Sequence, residues 1–499
     1  MVYFLTEPRN RHAKLTNTPH AGRLNVLRLT TDEQGLLPST SRRELLRIGG
    51  LGGLMWPFVG AAPLQAESTQ QVPGFGRAKS VIVVYANGGQ SQLETWDPKP
   101  AAPAAIRGEF AAIPTAVPGT LVSEYFPRLA KLSDRYAIIR SMSHDDLDHG
   151  SATYLALTGR FHTRKSSNPL PASTDAPTHG SILARVRPTS QFPYSAVHIN
   201  GPAFVPLIAG PGQSGGLLGR DYDPLLLGDV HEKAVGLPGL SQQPNLPTVR
   251  LDARKTLLES IDGFTKQLDR GQPIGDVGGL YEQAYRMLAS PNCRDAFDLT
   301  QESDALRDRY GRNRAGQACL LARRLVEAEV PWVTVFFNQN ARGQDDAPND
   351  TDLYGWDTHN DIFVAMKNYL MPRFDLGFSA LLEDLENRGL LDTTLVVCMG
   401  EFGRAPRIAF EKSFAGQTPG RKHWGAVYSI VMAGAGIQPG MVYGASDKIA
   451  AFPTVEKTGP ADVTATMFAA LGIDPAAHYT DGFGRPFAIS EGQPLAGLY

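Results

Sequence analysis

Carboxylate and histidine side chains are concentrated in three short polar stretches of the sequence. They contain Asp357 with His359, Glu401 with Arg404, and His423. Each stretch borders a continuous apolar run or a helical pattern, so all three are expected at the ends of secondary-structure elements. Carboxylate oxygen and imidazole nitrogen are ligands for divalent cations such as Zn²⁺. If the stretches meet at one edge of a sheet, they predict a metal site.

The same residues are also consistent with purely structural roles, and their spacing alone leaves both interpretations open. Asp357 could cap the helix that follows it, and Glu401 could pair only with Arg404. His359 and His423 could be hydrogen-bonded core histidines.

A fourth polar stretch, residues 144–151, places acidic residues, His149 and Ser151 before a helix predicted over residues 152–157. A helix N-terminus favours anions, so this stretch could hold a metal, a nucleophile or a general base. Alternatively, its acidic residues only complement the helix dipole. The glycine turn at residues 88–89 could present backbone amides to an oxyanion, or it could simply be the exit from a strand.

The elements that would position these residues alternate between buried strands and amphipathic helices. This alternation predicts a three-layer α/β/α sandwich with a largely parallel sheet, in which ligands collect at the carboxyl ends of the strands. The stretch 161–246 is rich in Pro, Gly and Ser and is predicted to be a loop-rich insertion. The predicted strands are 80–85, 332–337, 394–399 and 427–432, and the predicted helices are 252–268, 280–288, 304–328, 361–385 and 462–471.

Composition excludes several classes of protein. The 499 residues include 48 basic and 50 acidic side chains, for a net charge of −2, and no basic run is present. Nucleic acid is therefore not an expected partner. The three cysteines are too few for a disulfide scaffold, and Cys398, inside a predicted strand, is expected to serve packing.

The N-terminal region has the features of an export signal. The run 41–46 (Ser-Arg-Arg-Glu-Leu-Leu) precedes an apolar, glycine-rich stretch over 48–62, and small residues follow at Ala61, Ala62 and Ala66. We interpret residues 1–66 as a leader read by the twin-arginine export machinery, which predicts a periplasmic or secreted protein. The apolar stretch is too short for a stable membrane span. An amphipathic helix or an uncleaved anchor is the alternative.

Six motifs together resemble the family called domain of unknown function 1501, which comprises secreted sulfatase-like proteins. The resemblance covers residues 79–494 and predicts one alkaline-phosphatase-like domain. The motifs are Gly-Gly-Gln-Ser-Gln-Leu-Glu-Thr-Trp-Asp-Pro-Lys-Pro (88–100), Arg-Gly-Glu-Phe (107–110), His-Gly-Ser-Ala-Thr-Tyr-Leu (149–155), Trp-Asp-Thr-His (356–359), Gly-Glu-Phe-Gly-Arg (400–404) and Gly-Ala-Ser-Asp (444–447).

This family is similar to the alkaline phosphatase and sulfatase superfamily, whose members hydrolyse phosphate or sulfate esters with one or two metals. The resemblance implies that Asp357, His359 and His423 form one metal site, with Glu401 as a further ligand. Zinc and calcium are both candidates. The implied substrate is an anionic ester or polysaccharide.

The resemblance also shows what this sequence lacks. Asn87 stands where a second metal would need a carboxylate, and Phe402 cannot bind metal, so a two-metal mechanism is not expected. The sulfatase motif Cys-x-Pro-Ser-Arg is missing, which excludes a formylglycine sulfatase. His149 as phosphoryl acceptor or general base, or Ser151 as nucleophile, would replace it, while Arg404 would bind an anionic ester oxygen.

Two functions follow from these expectations. The first is an exported hydrolase of phosphate or sulfate esters with one metal. The second is a non-catalytic protein that binds an anionic polysaccharide on the same fold. A structural or secretion-associated role has no motif in its favour.

Overall fold

The computed structural model describes residues 72–231, 291–341 and 355–499, which all belong to one compact unit, Gln70–Tyr499. The predicted leader and the helices predicted over 252–268 and 280–288 lie outside these residues. The described strands are β1 Ser80–Tyr85, β2 Ala112–Pro114, β3 Leu121–Ser123, β4 Tyr136–Met142, β5 Ala196–Ile199, β6 Leu225–Leu227, β7 Trp332–Phe336, β8 Thr394–Met399, β9 Gly403–Arg404, β10 His423–Trp424, β11 Tyr428–Ala433, β12 Val442–Tyr443, β13 Ala445–Ser446, β14 Pro453–Val455, β15 His478–Thr480 and β16 Pro486–Ala488.

The described helices vary from single turns to 17 residues, and none of them is long and apolar enough to cross a membrane. A π-helical segment, Met366–Leu370, joins α8 to α9, and short 3₁₀ turns occur elsewhere. The α-helices are α1 Ala104–Arg107, α2 Pro127–Lys131, α3 His149–Thr158, α4 His179–Val186, α5 Pro291–Phe297, α6 Asp304–Tyr310, α7 Arg314–Glu327, α8 Ile362–Ala365, α9 Met371–Asn387 and α10 Pro460–Ala470.

Two predicted helices are interrupted. The helix predicted over 304–328 is two helices, because Gly311 follows α6 with φ of 93° and the Asn313 side chain then caps α7. The helix predicted over 361–385 begins at Ile362 and contains the π-helical segment. Pro372 lies just after this segment and lacks the amide hydrogen that a regular helix would use there.

The central sheet has eight strands in the order β12-β4-β11-β8-β1-β7-β5-β6. All pairings are parallel except those of β11, which is antiparallel to both β4 and β8. The predicted α/β class with a largely parallel sheet is confirmed. Because β11 runs in reverse, residues that precede it lie at the edge where the parallel strands end.

Strand β1 shows why the sheet is covered on both faces. Ile82 and Val84 belong to one hydrophobic core, whereas Val81 and Val83 belong to the other. Side chains alternate between the faces of a strand, so a continuous apolar run is buried on both sides. Helices α7 and α9 contribute to the first core, and α3, α4 and α10 to the second. The result is the three-layer sandwich.

The stretch 161–246, predicted to be loop-rich, contains sheet strands in its described part. Helix α4 precedes β5, which pairs with β7, and β6 extends the sheet beyond β5. These strands have only four and three residues, which is too short for a hydrophobic period to be recognised in the sequence.

Candidate metal centre

The carboxyl ends of β1 and β8 bring two segments of the site together. Tyr85 pairs with Met399 across these strands, so the following loops leave the sheet side by side. The Gly88 amide donates to both oxygens of Glu401 at 2.9 and 3.2 Å. Gly88 has φ of 111°, and a Cβ there would lie 2.5 Å from the amide nitrogen of Asp357. Only glycine permits this close approach.

Two further backbone contacts position the remaining segments. The backbone amide of Asp357 donates a hydrogen bond to the Ala341 carbonyl at 2.9 Å. The preceding amide, of Trp356, donates to the Asn87 carbonyl at 3.0 Å. Strands β9 and β10 form a small antiparallel ladder in which Arg404 is opposite His423. His423 precedes the reversed strand β11 and therefore reaches the same edge of the sheet as Asp357.

The donor atoms of Asp357, His359 and His423 converge. Asp357 Oδ1 lies 3.1 Å from Nε2 of His359 and 3.1 Å from Nε2 of His423, and the two imidazole nitrogens are 2.9 Å apart. His149 contacts the other oxygen of the same carboxylate, with Nε2 3.2 Å from Asp357 Oδ2. The structure thus brings together four residues that the sequence singled out.

Hydrogen bonds behind two of the histidines fix which nitrogen faces the cluster. His149 Nδ1 donates to Glu401 Oε1 at 2.7 Å, and His423 Nδ1 donates to the Leu147 carbonyl at 2.7 Å. Since both acceptors require a proton on Nδ1, it is Nε2 that faces Asp357 in each ring, and Nε2 carries the lone pair whenever the ring is neutral.

Arg404 is oriented toward the protein. Its Nη1 donates to Asp357 Oδ1 at 2.7 Å, Nε donates to the Gly89 carbonyl at 3.1 Å, and Nη2 donates to the Gly88 carbonyl. The side chain is fully buried. The sequence predicted that Arg404 binds an anionic ester; in the structure its guanidinium holds Asp357 and the glycine turn.

Burial and charge shift the pKa values within the cluster in opposite directions. Burial alone would raise the pKa of Asp357, but His149 and Arg404 hold it well below its usual range. Burial alone would lower the pKa of His149, but Asp357 and Glu401 raise it to about 9. Burial and the neighbouring His149 lower the pKa of His423 to about 4.

The chemistry of the donor set fits a divalent cation. Around a tetrahedral Zn²⁺ with bonds near 2.0–2.1 Å, neighbouring ligand atoms are about 3.3 Å apart. The separations among Asp357, His359 and His423 are 2.9–3.1 Å. His149, Asp357 and His423 also offer one donor atom each within 4.8 Å of one another. The arrangement can therefore hold one such ion.

Aromatic rings enclose the histidines. Phe402 is 1% exposed, and its ring centroid lies 4.6 Å from that of His423 and 5.0 Å from that of His149. Phe414 stacks on His359 with a centroid distance of 3.8 Å and an interplanar angle of 6°. Phe402 thus places apolar surface beside His149 and His423.

Ser151, which the sequence predicted as a nucleophile, and Asn87, which replaces a second-metal carboxylate, are both engaged elsewhere. The buried Ser151 hydroxyl donates to Asp146 Oδ1 at 2.7 Å and accepts from the Ser167 amide at 3.1 Å. The Asn87 amide group donates to the carbonyls of Phe204 and Gln339 at 3.1 and 2.8 Å. Neither side chain joins the cluster around Asp357.

Several contributors were not predicted. Arg421 forms a fully buried pair with Glu94, at 2.9 Å between Nε and Oε2, and this pair fastens the segment before His423 to the loop after β1. The partners are 327 positions apart, so no local signal links them. The contribution of Leu147 comes from its backbone carbonyl and is independent of side-chain type.

A cavity of about 1000 Å³ is lined in part by Ser143, His144 and Asp145, which belong to the segment that precedes α3. Its lining includes Tyr154, Arg160 and Tyr479, together with His144, whose Nε2 contacts the Glu401 carbonyl at 2.7 Å. None of the four clustered residues, which are His149, Asp357, His359 and His423, is among the described residues that line this cavity. This cavity and the converging donors are therefore separate features.

Comparison with solved structures finds sulfatases and other proteins at low identity and low TM-score, and the chain matches no curated protein. The PsFucS1 sulfatase from Pseudoalteromonas sp. is 15% identical, with coverage of 80% of this chain and 68% of that chain and a TM-score of 0.35. A protein in the alkaline phosphatase superfamily from Vibrio parahaemolyticus is 11% identical (81% and 71% covered, TM-score 0.38). The phosphonate monoester hydrolase SpPMH from Silicibacter pomeroyi is 13% identical (84% and 76% covered, TM-score 0.34).

A family model described as protein of unknown function (DUF1501) matches residues 78–498. This range contains all six motifs and every residue of the cluster. The chain belongs to the DUF1501 family.

Proposed function

We propose that this protein is a metal-dependent hydrolase of phosphate or sulfate esters in which Asp357, His359 and His423 hold one divalent cation. The observation that carries the proposal is the convergence of their donor atoms at 2.9–3.1 Å. Imidazole nitrogen suits zinc, whereas calcium prefers a shell of oxygen ligands, so the donor set favours zinc.

When bound, such a cation supplies a Lewis acid that polarises an ester oxygen. The residues of the chain hold the site in shape: Arg404 fixes Asp357, and the Leu147 carbonyl fixes the ring of His423. The His423 side chain is 17% exposed, whereas those of Asp357 and His359 are each 7% exposed. An anionic ester would therefore approach from the His423 side.

A binding protein for an anionic polysaccharide is the second candidate. It is favoured by the contacts of Ser151, whose hydroxyl is taken by Asp146, and by the apolar ring of Phe402 among the histidines. On this proposal the sheet edge recognises sulfate or carboxylate groups without cleaving an ester.

The test combines metal content with turnover in the full chain. We expect elemental analysis to find one zinc ion per chain, and expect Asp357→Asn and His423→Asn to lose it. His478→Asn is the matched control, because His478 is exposed on β15, outside the cluster. Phosphate and sulfate monoesters are then assayed with each variant. Zinc without turnover, but with glycan binding, would favour the second candidate, and the absence of stoichiometric metal in the parent would refute the first.

We also propose that the protein is exported through the twin-arginine pathway, on the basis of the run 41–46 and the apolar stretch that follows it. The double substitution Arg42→Lys and Arg43→Lys should retain the protein in the cytoplasm, as measured by cell fractionation. Unchanged export of this variant would contradict the proposal.

A further inference from the structure

We infer that His149 is itself a ligand of the metal centre, so that three imidazoles and one carboxylate surround the ion. The inference rests on the metal-binding part of the proposed function and deepens it. His149 Nε2 lies 3.2 Å from Asp357 Oδ2, and donor atoms of His149, Asp357 and His423 all lie within 4.8 Å of one another. The contact with Asp357 Oδ2 lacks regular hydrogen-bond geometry, so the buried nitrogen has an ion-pair partner in Asp357 but makes no hydrogen bond, and a buried polar atom without a hydrogen bond is costly.

The surroundings of His149 suit a ligand better than a nucleophile or general base. Its side chain is 3% exposed. The Phe402 ring lies against one side, at 5.0 Å between centroids, and the His423 ring lies 4.4 Å away in an edge-to-face arrangement. A general base must come within hydrogen-bond reach of the substrate proton. These rings cover the imidazole, and its Nε2 faces Asp357.

Glu401 acts behind His149 as a positioning residue. One oxygen accepts from His149 Nδ1 at 2.7 Å, the other accepts from the Tyr85 hydroxyl at 3.0 Å, and both accept from the Gly88 amide. Ligand histidines commonly donate their second nitrogen to such a carboxylate, which fixes the ring and raises its basicity. Glu401, which the sequence predicted to be a metal ligand, therefore positions a ligand instead.

The number of donors has a functional consequence. Four protein donors make the closed sphere typical of structural zinc, whereas catalytic zinc keeps one position for water or substrate. With His149 in the set, an anion reaches the ion only by displacing a protein ligand. Of the four side chains, His423 is the most exposed, at 17%, and is the one that an incoming anion would displace.

Cobalt substitution tests the inference without relying on turnover. The full chain is loaded with Co²⁺, and its visible spectrum is recorded with and without azide. We expect the parent to show a four-donor tetrahedral spectrum that azide changes far less than it changes the spectrum of His149→Gly, because azide must first displace His423. We expect His149→Gly to bind Co²⁺ at least about 100-fold more weakly, because losing a ligand should cost more than the 10–100-fold typical of losing its supporting partner. Azide should then shift its spectrum, and imidazole should restore the parent spectrum.

His179→Gly is the matched control, since His179 is an equally buried histidine at the start of helix α4. Glu401→Gln is a second test that leaves His149 in place, and it should weaken Co²⁺ binding about 10–100-fold. If His149→Gly keeps the Co²⁺ affinity and the spectrum of the parent, the inference is overturned while the proposed metal centre stays intact. If His149→Gly does not fold, the same result in Glu401→Gln overturns it. A parent chain that binds no cobalt or zinc would overturn both.

Discussion

The tripeptide His-Gly-Ser occurs twice in this chain, at 149–151 and 179–181, and both copies begin a helix of the same layer. Both histidines are buried, with His149 at 3% and His179 at 2% exposure. Both glycines permit close approach, because a Cβ at either position would lie 2.6 Å from a neighbouring atom. The local sequence, the position in the helix and the burial are thus shared.

The partners of the two histidines differ. His149 lies between Glu401 and Asp357, whereas His179 shares a hydrogen bond of 2.9 Å with the Thr464 hydroxyl and packs against Trp332. Burial lowers the pKa of His179 to about 3, while the carboxylates raise that of His149 to about 9 despite burial. A buried histidine is thus a candidate ligand only where carboxylates and other imidazoles converge on it.

The largest expected effect separates the two environments by charge. Asp357→Asn leaves the fully buried guanidinium of Arg404 without its carboxylate, which should lower the free energy of unfolding by about 3–5 kcal/mol. Thr464→Val removes the neutral partner of His179 and should cost only about 1–3 kcal/mol. Denaturant unfolding of both variants, without added metal, measures the difference. Equal losses would show that the cluster is no more than another hydrogen-bonded core.

The contrast between the two copies also shows what the sequence could reveal. Continuous apolar runs predicted β1, β7, β8 and β11 correctly, because strands buried on both faces leave a strong local pattern. The reversal of β11 was not predictable, since strand direction depends on long-range pairing. Asp357, His359 and His423 were identified as a set through the family resemblance.

The contacts of His149 could not be predicted from its local sequence. Its partner Glu401 is 252 positions away, and the partner of His179 is 285 positions away. Both tripeptides begin a helix, so composition and spacing cannot distinguish them. Phe414 and the Leu147 carbonyl were missed for a related reason, because they act through ring stacking and the backbone.

Metal addition should stabilise the protein through one group of histidines and not through the other. At a free zinc concentration 100 times the dissociation constant, binding to the native state adds about 2.7 kcal/mol to the free energy of unfolding. This gain should disappear in His423→Asn and persist in His179→Gln. Thermal melting with zinc and with a chelator measures it. Zinc-dependent stabilisation that survives in His423→Asn would place the ion elsewhere.

Low pH should destabilise the protein through buried histidines that have no carboxylate partner. Burial lowers the pKa of His179 to about 3 and that of His198 to about 3, whereas an unfolded histidine titrates near 6.5. Below about pH 6.5 each of these histidines is protonated in the unfolded state but stays neutral in the native state. Each should therefore lower the free energy of unfolding by about 1.4 kcal/mol per pH unit, down to about pH 3. His179→Gln should show a correspondingly shallower decline between pH 6 and pH 5. A decline as steep as the parent's would contradict a neutral buried His179.

The smallest expected effect concerns the ring that holds His359. Phe414→Leu removes a stacked ring 3.8 Å from the imidazole, and such aromatic pairs contribute about 0.5–1.5 kcal/mol beyond area burial. If stacking orients His359 toward Asp357, zinc affinity should fall by about 2–10-fold, as measured by competition with a chelator. Phe410→Leu is the control, because Phe410 is on the same loop and is 45% exposed against 40% for Phe414. Equal zinc affinity in the two variants would mean that the backbone around His359 orients its ring without help from Phe414.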